Sequence, residues 1–423
     1  MMTRRFVLFL TALIIFSAAV RLYRINEPAR YYFDEVYHVV TAKAYAQNNP
    51  AAYDPFSPPP EEGTAYDWLH PPLAKLIQAS SIKLLGDKPL AWRLPSAIFG
   101  TSLILATVIL ATVMFGKKAG VFAGLILAFE NLTLVMSRIT MNDIFIAFFS
   151  VCAFIFAALY SKKQKFIWLF YSSVFVGLAV SSKWTGAYAL LIVLAFVFLE
   201  RIRNQKSLIP LLTLIIVPLF IYLASYGQFW IQGHSAKQFI DLHKQIWWYQ
   251  NRSDLQHPYG TTALFCVPKG LDGPRTWCPW ILDIRGVYFS LETYGPKNGY
   301  IYALGNPLIF WVGIISISYQ IGKLINERKR ELIPILAAFF IFWLPWIFTP
   351  RLLFLYHYLP SLPFLAIALG IFLKDIWETK FKFLTILIIL IFGLSFFYFY
   401  PITTGYPINP QLLEKFMWFS TWR

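Results

Sequence analysis

Long apolar runs separated by short polar or charged connections recur along the whole chain. Each is long enough to cross the hydrocarbon core of a bilayer as a helix. The pattern predicts eleven spans: Phe6–Tyr23, Leu94–Phe115, Ala119–Met136, Ile144–Tyr160, Phe166–Ser182, Thr185–Leu199, Leu208–Ser225, Ile301–Ile321, Leu332–Phe348, Leu352–Leu373 and Phe383–Phe399. The fifth and sixth are parted only by the connection at Lys183. Two longer segments interrupt this series, over 24–93 and 226–300. In the first, Val36–Gln47 and Pro72–Leu85 carry apolar residues at helical spacing. They are too short and too mixed to span, which suits helices lying along the interface. A proline at the start of the second fits a first-turn position. Between them, Asp54-Pro55-Phe56-Ser57-Pro58-Pro59-Pro60 should stay extended. In the second segment, Gly270 to Pro274 reads as a turn between two short extended pieces. There is no internal repeat and no inserted soluble domain. The expected architecture is therefore an all-α polytopic membrane protein, one membrane domain over residues 1–423, with an external tail at 401–423.

Composition agrees. The chain is 58% hydrophobic and only 14% charged, with a mean hydropathy of +0.56, which excludes a soluble protein. The net charge of +16 would suit a nucleic-acid partner, but the placing of the bases points elsewhere. With a cytoplasmic amino terminus, the inside connections hold Arg4/Arg5, Lys117/Lys118, Lys162/Lys163/Lys165, Arg201/Arg203/Lys206, Lys323/Arg328/Lys329/Arg330 and Lys374/Lys380/Lys382. The short opposite connections hold one each: Arg138, Lys183 and Arg351. This is the positive-inside pattern. It predicts a multi-pass cell-membrane protein with an extracytoplasmic carboxyl tail, and it implies membrane lipids rather than nucleic acid as partners. The first apolar run is followed by Arg21-Leu22-Tyr23-Arg24 without a small-residue cleavage site, so it is expected to remain as a helix. Cys152 falls inside a span and is expected simply to pack. Cys266 and Cys278 share an external loop, where an oxidising compartment would permit a disulfide that spacing alone does not establish. No metal-ligand spacing is present, and no metal or other cofactor is expected.

An ionisable group near hydrocarbon is costly, so those at the external rim are candidates for a site. They are Asp34, Glu35, His70, Lys75, Arg93, Arg138, Asp143, Lys183, Arg351 and His357. Each has a plainer reading. Glu35 either serves the site or orients a loop through Lys or Arg; Arg93 and Arg138 either bind phosphate or pair with Asp143 and Glu130. Lys183 and Arg351 either bind phosphate or snorkel to the interface. His70 either donates to phosphate or shapes the turn before Pro71-Pro72, and His357 either serves the site or packs against Tyr356 and Tyr358. The tryptophans at 230, 247, 248, 277 and 280 suit the headgroup level or the stacking walls of a sugar or peptide groove.

Several motifs resemble the protein O-mannosyltransferases. They are Phe33-Asp34-Glu35-Val36-Tyr37-His38, His70-Pro71-Pro72-Leu73-Ala74-Lys75, Trp92-Arg93-Leu94-Pro95-Ser96, Ser137-Arg138-Ile139, Gly305-Asn306-Pro307-Leu308 and Tyr356-His357-Tyr358-Leu359-Pro360. The tail Met417–Arg423 looks similar to the family's carboxyl end, and the likeness covers nearly the entire chain in the family's order. It implies a GT-C glycosyltransferase that moves mannose, with inversion, from a polyprenyl phosphate to Ser or Thr hydroxyls of an exported polypeptide. It also implies that the aspartate of the first-loop acid pair, Asp34, is the base. The chain lacks the β-trefoil insert of eukaryotic members, and Glu130 stands where an Asp is expected in many relatives.

A carboxylate within reach of a hydroxyl takes its proton as attack proceeds, and fixed cations stabilise the departing lipid phosphate. The catalytic candidates are Asp34 and Glu35; His70, Lys75, Arg93, Arg138, Asp143, Lys183, Arg351 and His357 are candidates for the donor site. A GT-C transferase acting on a lipid or cell-wall glycan is the alternative within enzymes. A transporter fits less well, because the charges gather at one rim and not at the midplane of repeated helices.

Overall fold

The computed structural model describes residues 4–255, 260, 267–269, 275–277 and 280–423. Among the described residues, eight helices are long and apolar enough to cross a membrane: Arg4–Leu22, Pro89–Phe115, Asp143–Lys163, Trp184–Arg203, Pro307–Asn326, Arg330–Phe348, Leu355–Trp377 and Lys382–Thr404. Each coincides with an expected span. Two more expected spans form shorter apolar helices, Phe166–Ser182 and Ile209–Ser225.

The third expected span is broken. A helix over Lys117–Ala128 stops, and another starts at Asn131 and runs to Met136. Glu130 causes the break: its backbone is extended and its carboxylate accepts from the amides of Leu132 (2.9 Å) and Thr133 (2.6 Å). An anionic N-cap supplies acceptors that the first helical N–H groups lack, and it faces the positive end of the helix dipole. The eighth span also begins later than expected. Residues 301–303 complete a β-strand, and the helix starts at Pro307, in the first-turn position that proline tolerates.

The helices Asp143–Lys163 and Leu355–Trp377 form the centre, with 78% of each apolar window buried against 28% for the peripheral helix Lys382–Thr404. On that peripheral helix Phe383, Leu387, Leu390, Leu394 and Phe397 recur on one exposed face. In a bilayer such a face meets lipid tails and needs no protein partner. Leu355–Trp377 packs on Lys117–Ala128. At Gly370 a Cβ would lie 2.8 Å from both the Ala119 carbonyl oxygen and the Ala123 amide nitrogen, so only glycine allows this approach.

The first of the two longer segments forms two helices, Glu35–Ala46 and Leu73–Leu85, as the apolar spacing predicts, and they pack together. The proline-rich stretch between them has no regular structure. Val39, Tyr45, Tyr53, Trp92, Phe229 and Ile246 give these helices a small core shared with the second segment. There, Ala236–Gln250 opens with a capping box between Ser235 and Gln238. Strands Val267–Lys269 and Arg275–Trp277 pair antiparallel, flanking the expected turn. Residues 270–274 themselves, and Cys266 and Cys278, lie outside the described residues. A second hairpin, Val287–Tyr294 with Lys297–Ala303, was not expected; Val287 faces Ala303 and a bulge falls between Tyr288 and Ser290. The bundle is helical as expected, and among the described residues both hairpins belong to the second long segment.

Candidate active site

The two long segments and the helix ends beneath them enclose a cavity of about 370 Å³. Asp34, His38, His70, Asp143, Lys183, Arg351 and His357 line it together with Gln250 and Asn251. Trp184, Tyr188, Trp247, Trp346 and Tyr356 supply aromatic walls.

Asp34 is delivered by a sharp local turn. Phe33 adopts φ +49°, a left-handed conformation that costs a bulky residue on the order of 1–2 kcal/mol. Its ring stacks on Phe289 of the second hairpin at 4.1 Å, which holds the turn in place. Asp34 then precedes the helix Glu35–Ala46 without capping it, so its carboxyl is left for the cavity. Burial pushes that carboxyl up to about 6; His38 and Lys183 oppose the shift, while Asp67 and Asp143 add to it. The Tyr356 hydroxyl lies against it. A carboxyl so placed is a stronger base than a free aspartate and is largely ionised at neutral pH.

Lys183 and Asp143 form an ion pair of 2.8 Å on the cavity wall. Lys183 is held there by a tight reversal after Phe166–Ser182. At Gly186 a Cβ would come within 2.3 Å of the Ala179 carbonyl carbon, so the turn packs back on its own helix only with glycine. Arg351 donates from Nη1 to Gln250 Oε1 at 2.5 Å and lies over the Tyr249 ring at 5.0 Å. Its Nε is buried without a hydrogen-bond partner among the described residues. An orphan guanidinium N–H beside a cavity is suited to an anion. Gln250 also donates to the Leu69 carbonyl, tying Arg351 to the loop that carries His70. The His70 ring stacks parallel to His38 at 6.4 Å, and burial lowers its pKa well below the usual histidine value, which keeps it neutral. His357 accepts from the Phe354 amide at 3.2 Å and meets the Trp346 ring edge-on at 4.6 Å. The packed and the site-lining readings of this histidine therefore both describe it.

Four expected site residues stand elsewhere, and each correction has a physical reason. Glu35 is fully buried, and both carboxylate oxygens bind Arg93, at 2.8 Å from Nε and 2.8 Å from Nη2. Thr140 adds its amide and hydroxyl. Such a carboxylate has no room for a substrate proton, so its role is structural. Arg93 spends its other donors on the carbonyls of Ile25, Pro28 and Arg30 and is likewise buried, so it fastens the first loop and does not meet phosphate. Arg138 donates to the carbonyls of Arg21 (2.6 Å) and Tyr23 (2.8 Å), where the helix Arg4–Leu22 ends. A cation there satisfies carbonyls at the negative end of the dipole. Neither arginine pairs with Asp143 or Glu130. Lys75 is buried against Asp67 at 2.8 Å, off the cavity lining.

Asp67 was not expected at the site, although it stands three residues before His70. Burial opposes its charge, but Lys75, His38 and His70 together hold its carboxyl well below the usual range. His38 Nδ1 lies 3.0 Å from it, so Asp67 anchors both the His38 face and the Lys75 stem behind Asp34. Treating every acid of the first loop as a candidate would have found it. Trp184, Tyr188, Trp346 and Gln250 carried no such signal, since one aromatic or amide among many in apolar surroundings looks like ordinary packing.

The model of the dolichyl-phosphate-mannose-protein mannosyltransferases matches residues 11–233, and that of the carboxyl-terminal four-span region of protein O-mannosyltransferases matches residues 235–422. A polyprenol-phosphate-mannose–protein mannosyltransferase of Corynebacterium glutamicum is 26% identical, over 84% of this chain and 81% of its own. One from Mycobacterium tuberculosis is 22% identical over the same shares. The Saccharomyces cerevisiae protein O-mannosyltransferase Pmt1-Pmt2 complex bound to the sugar donor superposes with a TM-score of 0.79, at 15% identity, over 100% of this chain and 93% of that one. ArnT from Cupriavidus metallidurans bound to undecaprenyl phosphate gives 0.56, at 16% identity over 87% and 60%. Placed on an acid-and-cation cavity at one rim of a GT-C bundle, these matches show that the chain belongs to the protein O-mannosyltransferase family of membrane glycosyltransferases.

Proposed function

We propose that this protein transfers mannose from a polyprenyl-phosphate-mannose donor to Ser or Thr hydroxyls of exported polypeptides, with inversion at the anomeric carbon. The observation that carries the reading is one cavity holding Asp34 together with Lys183 and Arg351. Asp34 accepts the hydroxyl proton while the acceptor oxygen forms its bond to the sugar C1. The C1–oxygen bond to phosphate breaks, and its electron pair stays on the lipid phosphate. Arg351, with an unsatisfied Nε, receives the phosphate, and Lys183 adds charge beside it. Fixed cations in a low-dielectric site stabilise a departing anion without moving, so the scheme calls for no metal. Inversion requires the base and the phosphate on opposite faces of the sugar, by analogy with inverting glycosidases. The aromatic walls formed by Trp184, Trp247 and Trp346 suit the sugar faces. The distribution of Lys and Arg supports a cytoplasmic amino terminus and an extracytoplasmic cavity.

The test is incubation of the purified protein with radiolabelled polyprenyl-phosphate-mannose and a Ser/Thr-containing peptide. Label is expected in the peptide. Label found only in glycolipid would replace this reading with transfer to a lipid or glycan acceptor.

A further inference from the structure

At the end of the bundle opposite Asp34, a second crevice opens between helices whose other ends build the active site. The helix Asp143–Lys163 sets the separation: Asp143 lines the catalytic cavity and Lys162, nineteen residues on, lines the crevice. That is about 28 Å along a helix axis, close to the thickness of the hydrocarbon core. The crevice therefore sits at the other membrane surface. It holds about 350 Å³, and its floor is apolar, formed by Met114, Ala158, Phe196 and Pro334. The same four residues line a narrower apolar slot that continues inward. The rim is cationic, with Lys162, Arg203 and Arg330 against one carboxylate, Glu331.

The rim charges are not consumed by internal pairing. Arg203 and Arg330 are exposed, and neither side chain has a hydrogen-bond or ion-pair partner among the described residues. Lys162 donates to the Val113 carbonyl near the end of the helix Pro89–Phe115, which fixes its ammonium at the mouth of the crevice. An apolar floor below a rim of three cations and one carboxylate, net positive, matches an amphiphile with an anionic head. A soluble anion would satisfy the rim and leave the floor wet; a zwitterionic lipid would fill the floor and leave the rim uncompensated. Guanidinium groups bind phosphate oxygens in pairs, which favours a phosphodiester over a diffuse surface charge. We infer that this crevice is a binding site for one anionic phospholipid of the leaflet opposite the active site.

The test is lipid retention by the full-length protein in detergent, read by native mass spectrometry after exchange with phosphatidylglycerol or phosphatidylcholine. The wild type is expected to keep one phosphatidylglycerol in preference to phosphatidylcholine. Arg203→Gln with Arg330→Gln should weaken that retention roughly thirtyfold, about fivefold per basic side chain. Lys163→Gln with Lys165→Gln removes equal charge outside the crevice lining and should leave retention intact. Neither pair touches the Asp34 cavity, so sugar transfer in detergent verifies that each variant is folded. Equal retention of the two lipids, equal loss in both double variants, or displacement of the lipid by inorganic phosphate at similar concentration would each overturn the inference.

Discussion

Asp34→Asn should make the protein inactive and more stable at once. Burial raises the Asp34 carboxyl from the ordinary 3.8 to about 6, so the folded state binds its proton more tightly than the unfolded chain does. The sign follows: ionising Asp34 costs the fold stability, and the cost accumulates as pH rises from about 4 to 6 and is complete above that. At 1.36 kcal/mol per unit, the full penalty is about 3 kcal/mol at pH 7.5 and about 1 kcal/mol at pH 4.5. The carboxyl keeps some access to the cavity, and solvent screening brings the difference at pH 7.5 down to about 1–2 kcal/mol. Asparagine keeps the shape and an acceptor for Tyr356 while removing the charge. Lys183 is not orphaned by the change, because Asp143 remains its partner. Thermal unfolding in detergent at pH 4.5 and 7.5 measures the effect. The variant should melt above the wild type, by a margin that widens with pH, with sugar transfer lost and donor binding kept. A variant less stable than the wild type at pH 7.5, or a margin that does not depend on pH, would refute the account of Asp34 as a buried and strained base. Near-normal transfer by the variant would refute its role as the base.

Glu35→Gln should act in the opposite sense, because it leaves the buried Arg93 guanidinium without its countercharge. Breaking such a pair costs about 3–5 kcal/mol, so the variant should unfold at markedly lower temperature, whereas transfer lost at unchanged stability would restore Glu35 to the chemistry. If Arg351 holds the donor phosphate as proposed, Arg351→Ala should raise the apparent donor KM roughly tenfold to a hundredfold, with melting little changed. Unchanged donor affinity would move the phosphate site away from Arg351.

The membrane frame was legible in the sequence because lipid imposes its rule locally: each span must be apolar over its own length, whatever it packs against. The exceptions had non-local or capping causes. Glu130 breaks the third span by capping a new helix, and the start of the eighth is a strand because it pairs with a partner that begins at Val287. The polar pair Glu130-Asn131 dents the apolar run without marking it as a helix start, and strand pairing leaves no mark on hydropathy at all.

The candidate site was legible only in part, for a related reason. Every ionisable group at the rim is costly to bury, and the chain meets that cost by pairing. A candidate drawn from charge and position alone therefore includes each group whose cost is already met inside the protein. Glu35 with Arg93, Lys75 with Asp67, and Arg138 with the end of the first helix are of that kind. Asp34 and Arg351 differ in keeping an uncompensated element, a carboxyl raised by burial and a guanidinium Nε without a partner. What separates the two groups is the identity of the partner, and for both buried arginines that partner lies far away in sequence. Glu35 and Arg93 are 58 residues apart, and Arg138 reaches Arg21 across 117. The positions that look alike in the sequence thus divide, once folded, into fasteners that close the first loop and groups on the cavity lining. On the proposed reading the chemistry belongs with the cavity groups, because they, unlike the fasteners, still gain by meeting a substrate's proton or its phosphate.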